Sequence, residues 1–227
     1  MKSLDLFCGT KSFSKVAEEK GFETTTLDIL EKFNPTICCD LMDWDYKEKP
    51  RGYYDVIWAS PNCKDYSSMN FLSGKDKDLT ESNNLIKRVL EIIDYYNPKY
   101  WFIENPQTGK LKHQDFMIDL PYNDIDYCKY GFEYRKRTRV WNNSPWTGRV
   151  LCKKDHYCIN KETNKKHDMG WITRGGGSSK WEQRIMIPKE LIEEIIGWIW
   201  PPNERCLIGE CDCEGDERAT CDGYNTE

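Results

Sequence analysis

The chain alternates short apolar runs with polar stretches that end on glycine, proline or an acid. Lys2–Phe7 reads as a strand that gives way to "FCGTKS". Ser12–Lys20 then has helical spacing through Phe13, Val16 and Ala17, and Gly21 closes it. Glu23–Asp28, rich in threonine, predicts a second strand ending on an acid, and Thr36–Cys39 a third ending at Asp40. A fourth strand, Asp55–Ala59, runs directly into Ser60-Pro61-Asn62-Cys63. Asp78–Tyr96 carries the strongest helical pattern, with Leu85, Val89, Ile92, Ile93 and Tyr96 on one stripe. Asp78 or Thr80 can cap that helix, and Asn97-Pro98 stops it. Tyr100–Ile103 predicts a fifth strand leading into Glu104-Asn105-Pro106. Ile125–Tyr130 and Thr138–Trp141 read as a strand pair around a charged turn, and Lys189–Ile199 as a short helix behind Pro188.

Strands alternating with helices predict a mostly parallel, doubly wound α/β sheet. Ligands of such sheets sit beyond the carboxyl ends of the strands. Here those ends carry Gly9, Asp28, Asp40, Pro61-Asn62-Cys63 and Glu104-Asn105 in series, which marks a site. Gly9 lets backbone approach a ligand at a helix N-terminus. Lys11 stands where many nucleotide-binding loops have another glycine. Asp28 is placed to accept bonds from ribose hydroxyls, and Asp40 from the exocyclic amine of an adenine ring. Taken in strand order, these residues predict a nucleoside-type cofactor; no P-loop pattern is present. Cys63 alone is either a packed thiol or a placed nucleophile, and Glu104-Asn105 either a strand-end cap or a catalytic pair.

Composition narrows the class. With 9 Trp, 13 Tyr and 8 Phe in 227 residues, the chain is expected to fold around a proper core as one domain with a small appendage. It has no apolar run near the roughly 20 residues of a membrane span. The start lacks a signal-peptide core, so an intracellular location is expected. The 11 cysteines then read as free thiols, a metal site or catalysis rather than disulfides. Cys152, Cys158 and His167 could join Cys206, Cys211, Cys213 or Cys221 around zinc, but their spacing matches no common finger and no metal is assigned. The net charge of −5 is unevenly spread: residues 129–190 carry 15 Lys/Arg against 6 Asp/Glu, and residues 191–227 carry 2 against 10. The basic stretch, which includes Gly175-Gly176-Gly177, is either a phosphate-binding footprint or a solvated surface of uneven charge.

"LDLFCGTKSFSK", "LDI" at Asp28, "ASPNCKDYS", "WFIENP" and "YCKYGFEYRKRTRVWNN" together resemble the DNA (cytosine-5)-methyltransferases, in particular the short, divergent phage and virus type. The likeness runs from about residue 2 to 143 and resumes weakly at "RIMIPKELIEEI". It implies a Rossmann-like fold and S-adenosylmethionine (SAM) as methyl donor, held by Phe7, Gly9, Asp28, Asp40 and Pro61. It implies Cys63 as nucleophile, Glu104 as its partner at the base, and an arginine contacting the cytosine. Arg137 is the first choice for that role, with Arg135 and Arg139 as competitors. The implied partner is duplex DNA with its target base flipped out, acted on by a monomer. The implied layout is a catalytic core over 1–143, a small target-recognition region over 144–184, a returning helix over 185–202 and an acidic tail over 203–227.

The departures are specific. Asn62 separates Pro61 from Cys63, Pro106 follows Glu104-Asn105, the arginine turn reads "YRKRTR", and the family's C-terminal Gly-Asn motif is missing. Two rivals stay open at this level: an RNA cytosine-5 methyltransferase, and a non-catalytic nucleic-acid-binding relative. With an apolar strand end before it (Trp101, Phe102, Ile103), Glu104 is expected to serve as a proton donor to the base.

Overall fold

The computed structural model describes residues 1–66, 78–132, 134–153 and 185–200. The expectations for Cys158, His167, Gly175-Gly176-Gly177 and the tail cysteines lie outside the described residues.

The elements are β1 (Lys2–Leu6), α1 (Ser12–Glu19), β2 (Glu23–Asp28), β3 (Ile37–Cys38), β4 (Val56–Ala59), α2 (Thr80–Tyr96), β5 (Tyr100–Pro106), α3 (Asp115–Ile118), β6 (Tyr122–Asp126), β7 (Arg137–Asn142) and α4 (Lys189–Ile199). They build one sheet in the order β3-β2-β1-β4-β5-β7-β6. The first five strands are parallel; β7 runs antiparallel to β5 and β6 antiparallel to β7. The strand order reverses between β1 and β4, where an open α/β sheet leaves a crevice for ligand. The Ser60 N–H donates to the Leu6 carbonyl at 3.2 Å, clasping the two carboxyl ends at that point.

The central strands are apolar on both faces because helices cover both. Leu4, Leu6, Val56, Ile57, Trp58 and Ala59 are fully buried. One face packs Leu4, Leu6, Ile57 and Ala59 against α2. The other packs Val56 and Trp58 against α1 and α4. Trp58 is stacked between Phe13 and Phe102, with ring centroids at 5.3 and 5.6 Å.

Several boundaries differ from the pattern reading. β1 stops at Leu6 because Phe7 turns to φ 59°. α2 starts at Thr80, whose N–H and hydroxyl both donate to Asp78, and it buries Ile86 while Leu85 is only half-buried. β3 shrinks to two residues. β5 runs on through Glu104-Asn105-Pro106 because β7 pairs with that end, a register that no local pattern reveals. Tyr127–Tyr130 is a 3-10 turn rather than strand; Tyr127 and Tyr130 are buried there, and β6 is the preceding stretch.

Candidate active site

The β1–α1 loop makes the first half of the site. Phe7, Gly9 and Lys11 all take left-handed backbone, at φ 59°, 46° and 60°. Only Gly9 does so without the steric cost that an L side chain meets there. Lys11 thus has the conformation of the glycine that the pattern lacked. The Gly9 N–H donates to Asp28 Oδ2 at 2.9 Å, and the Leu30 N–H to Asp28 Oδ1 at 2.8 Å. The loop after β1 and the acid ending β2 are therefore one unit. Beneath it Ser14 donates to Asp5, joining α1 to β1, and burial pushes the Asp5 carboxyl up to about 7. Asp40 accepts from the Met42 N–H at 2.9 Å. Ile29, Leu30 and Met42 are exposed around these acids.

The returning C-terminal segment closes over this loop. Ile187 N–H donates to Ser12 Oγ at 3.1 Å, and a Cβ on Gly9 would lie 3.4 Å from Ile185 Cδ1. Ile185 and Ile187 thus meet the β1–α1 loop from 175 or more positions along the chain. Sequence reasoning missed this contact; its one signal was the weak likeness at "RIMIPKELIEEI".

The second half lies at the ends of β4 and β5. Asn105 is fully buried, and its Nδ2 donates to the Pro61 carbonyl at 3.0 Å. That bond fixes the Cys63 loop to the strand that carries Glu104. Asn62 Oδ1 accepts from the Lys64 N–H at 3.0 Å, folding the loop at the inserted residue so that Cys63 is left half-buried. The insertion between Pro61 and Cys63 is absorbed by this local turn.

Glu104 is 5 % exposed and is met from two sides. The Tyr127 hydroxyl donates to Glu104 Oε1 at 2.8 Å, and Lys136 Nζ stands 3.6 Å from the same oxygen. Lys136 Nζ also lies 4.7 Å above the Tyr127 ring. Burial and the Glu104 charge push the Tyr127 hydroxyl well above its ordinary value, so it remains a donor. Burial pushes the Cys63 thiol up, the Lys136 ammonium opposes this, and the Glu104 carboxylate adds to it; the net direction is up. Cys63, Glu104 and Lys136 therefore form one electrostatic group.

The arginines of the "YRKRTR" turn go elsewhere. Arg137 grips Asp126 with two bonds, of 3.1 and 2.7 Å, and Arg135 Nε adds a third at 3.2 Å. Arg139 grips Asp124 at 2.7 and 3.0 Å and lies 3.4 Å over the Tyr122 ring. Among the described residues the cation paired with Glu104 is Lys136, and Arg137 is paired with Asp126. Cys152 is buried with its N–H on Asp126 Oδ2 at 2.9 Å.

A family model for the C-5 cytosine-specific DNA methylases matches residues 1–135. A probable DNA (cytosine-5)-methyltransferase of Frog virus 3 (isolate Goorha) is 33% identical over 218 residues, covering 86% of this chain and 99% of the viral one. This chain belongs to the C-5 cytosine-specific DNA methylase family. The match to the family model includes Gly9, Asp28, Asp40, Cys63 and Glu104 and ends just before Lys136. The Type II methyltransferase M.AgeI of Thalassovita gelatinovora is 22% identical over 173 residues, 62% of this chain and 39% of that protein. The S. pombe Dnmt2 methyltransferase structure is 12% identical, with a TM-score of 0.47 over 79% of this chain and 61% of that one. No helix among the described residues is long and apolar enough to cross a membrane.

Proposed function

We propose that this protein transfers a methyl group from SAM to carbon 5 of a cytosine flipped out of duplex DNA, through a covalent adduct with Cys63. The observation that carries the reading is the Asn105–Pro61 bond. It seats the Cys63 loop against Glu104 at the sheet end where Gly9 and Asp28 also meet.

The first half of the site fits a nucleoside. Asp28 spends one bond per oxygen on backbone N–H groups and keeps lone pairs for ribose hydroxyls, while the apolar side chains around Asp28 and Asp40 suit a purine face. SAM, when bound, supplies a methyl carried on a sulfonium. Carbon 5 of cytosine is a weak nucleophile, and Cys63 addresses that by adding its thiolate to carbon 6, which enriches carbon 5. Glu104, supported by Tyr127, is placed to accept from the exocyclic amine and, carrying a proton, to donate it to N3, which draws electrons away from carbon 6. After transfer, loss of the proton on carbon 5 expels the Cys63 thiolate and restores the ring. A base in a duplex is out of reach of this pocket, so it must leave the stack.

Titration calorimetry tests the cofactor. SAM should bind the wild-type protein and raise its melting temperature by mass action. Asp28→Ala should weaken binding about 10- to 100-fold, the loss of one or two well-made polar contacts. Because Asp28 also tethers the Gly9 loop, Asp28→Asn is the companion variant, keeping an acceptor for that N–H. Well-folded wild-type protein that takes up no SAM would overturn the reading. Methyl transfer measured on duplex DNA and on tRNA distinguishes DNA from RNA as substrate.

A further inference from the structure

We infer that Lys136 is a positioning residue that holds the Glu104 carboxyl group and supports the Cys63 thiolate. The inference rests on the methyltransferase reading for its role in turnover, but not for its electrostatics.

Three geometric observations carry it. Lys136 Nζ is 3.6 Å from Glu104 Oε1, with its side chain 20 % exposed and that of Glu104 only 7 %. An ion pair so largely withdrawn from water is screened far less than a surface pair. The Lys136 ammonium lies over the Tyr127 ring, whose hydroxyl donates to the same Glu104 oxygen, so Tyr127 touches both partners. The flanking Arg135, Arg137 and Arg139 have Asp126 and Asp124 as partners. β7 explains the division. Arg137 and Arg139 lie on one face of that strand and pair with the acids opposite them on β6, whereas Lys136 precedes the strand and lies towards β5.

A single ammonium shared by a carboxylate and a thiol has a chemical consequence. The Asn105–Pro61 bond seats the Cys63 loop against the strand that carries Glu104, and a lone carboxylate there would oppose formation of a thiolate. Lys136, paired with Glu104, offsets that opposition and holds the carboxyl group in place.

The test is the alkylation rate of Cys63 by iodoacetamide, read by peptide mass from about pH 6 to 10, on the full chain without SAM or DNA. Lys136→Met and Lys136→Gln should move the Cys63 midpoint to higher pH by about half a unit or more, slowing alkylation roughly threefold at any pH below it. Lys136→Arg should restore most of the rate. Cys38, exposed and remote, reports in the same digest that reagent and fold are unchanged. Folded variants whose Cys63 midpoint does not move, or a Lys136→Arg no better than Lys136→Met, overturn the inference. In turnover, Lys136→Met should lower kcat while the KM for SAM stays within about twofold. If wild-type protein methylates no nucleic acid, the proposed function fails, and the alkylation profile still decides the role of Lys136.

Discussion

Duplex DNA carrying 5-fluorocytosine at its target should hold the protein covalently, through Cys63, when SAM is present. The thiolate adds to carbon 6 and the methyl enters at carbon 5. The fluorine there cannot leave as a proton, so the final elimination is blocked and the adduct persists. Cys63→Ser should abolish the adduct and lower methyl transfer on the order of 10³-fold or more, because a serine hydroxyl is scarcely ionised near neutral pH and the nucleophile is the part that cannot be bypassed. With 11 cysteines in the chain, a general thiol assay would be uninformative, and mapping by peptide mass decides the matter. Cys8 is a poor competitor, since burial and the nearby Asp5 and Asp28 push its thiol up to about 12. An adduct on Cys8, Cys38 or Cys128, or methyl transfer surviving in Cys63→Ser, would overturn the assignment.

Asp126→Asn should destabilise the fold by about 3 kcal/mol, the cost of breaking a buried charge cluster from one side. Asp126 is fully buried and accepts from Arg137, Arg135 and the Cys152 N–H at once. An amide of the same shape leaves two guanidinium groups facing no charge. Urea denaturation near pH 7, with m unchanged, measures the loss. The same carboxylate also sets an acid limb. Burial pushes its pKa up, but the bonds from Arg137, Cys152 and Arg135 outweigh this and hold it below its ordinary 3.8. A depressed folded-state value means the contribution is fully present above that ordinary value and is lost as pH falls through the folded one. Asp126→Asn should therefore flatten the wild-type fall in stability at the acid end. An equally steep acid limb in the variant would mean other carboxylates set it.

The two halves of the site were not equally legible. Gly9, Asp28, Asp40, Cys63 and Glu104 could be picked out as candidates because each lies at or just past the end of a strand predicted from local pattern. The direct Gly9–Asp28 bond, across nineteen residues, was not readable; it forms where the parallel register of β1 and β2 brings their carboxyl ends together. The arginine turn is the instructive case. Asp124 and Asp126 are two residues apart, as are Arg137 and Arg139, the spacing that cross-strand pairs on one face of a hairpin require. That signal was present, but the strand pair was placed at Ile125–Tyr130, which took Asp124 out of the strand. Lys136 lay between two arginines and so drew no attention.

The sequence by itself determined the alternation of strands and helices, the polar group at each strand end, the thiol behind Pro61 and the helix at Lys189–Ile199. These are local: they depend on periods of two and 3.6 residues and on turn residues within a few positions. Tertiary structure alone decided which strands pair, and through that which cation faces Glu104. β5 runs through Glu104 and Asn105 because β7 lies antiparallel beside it. Asn105 then reaches the Pro61 carbonyl 44 residues away, and Ile187 reaches Ser12 across 175. No local pattern encodes such contacts. They appear only when burial of both sheet faces brings the strand ends together, and the charges left between them must then find partners.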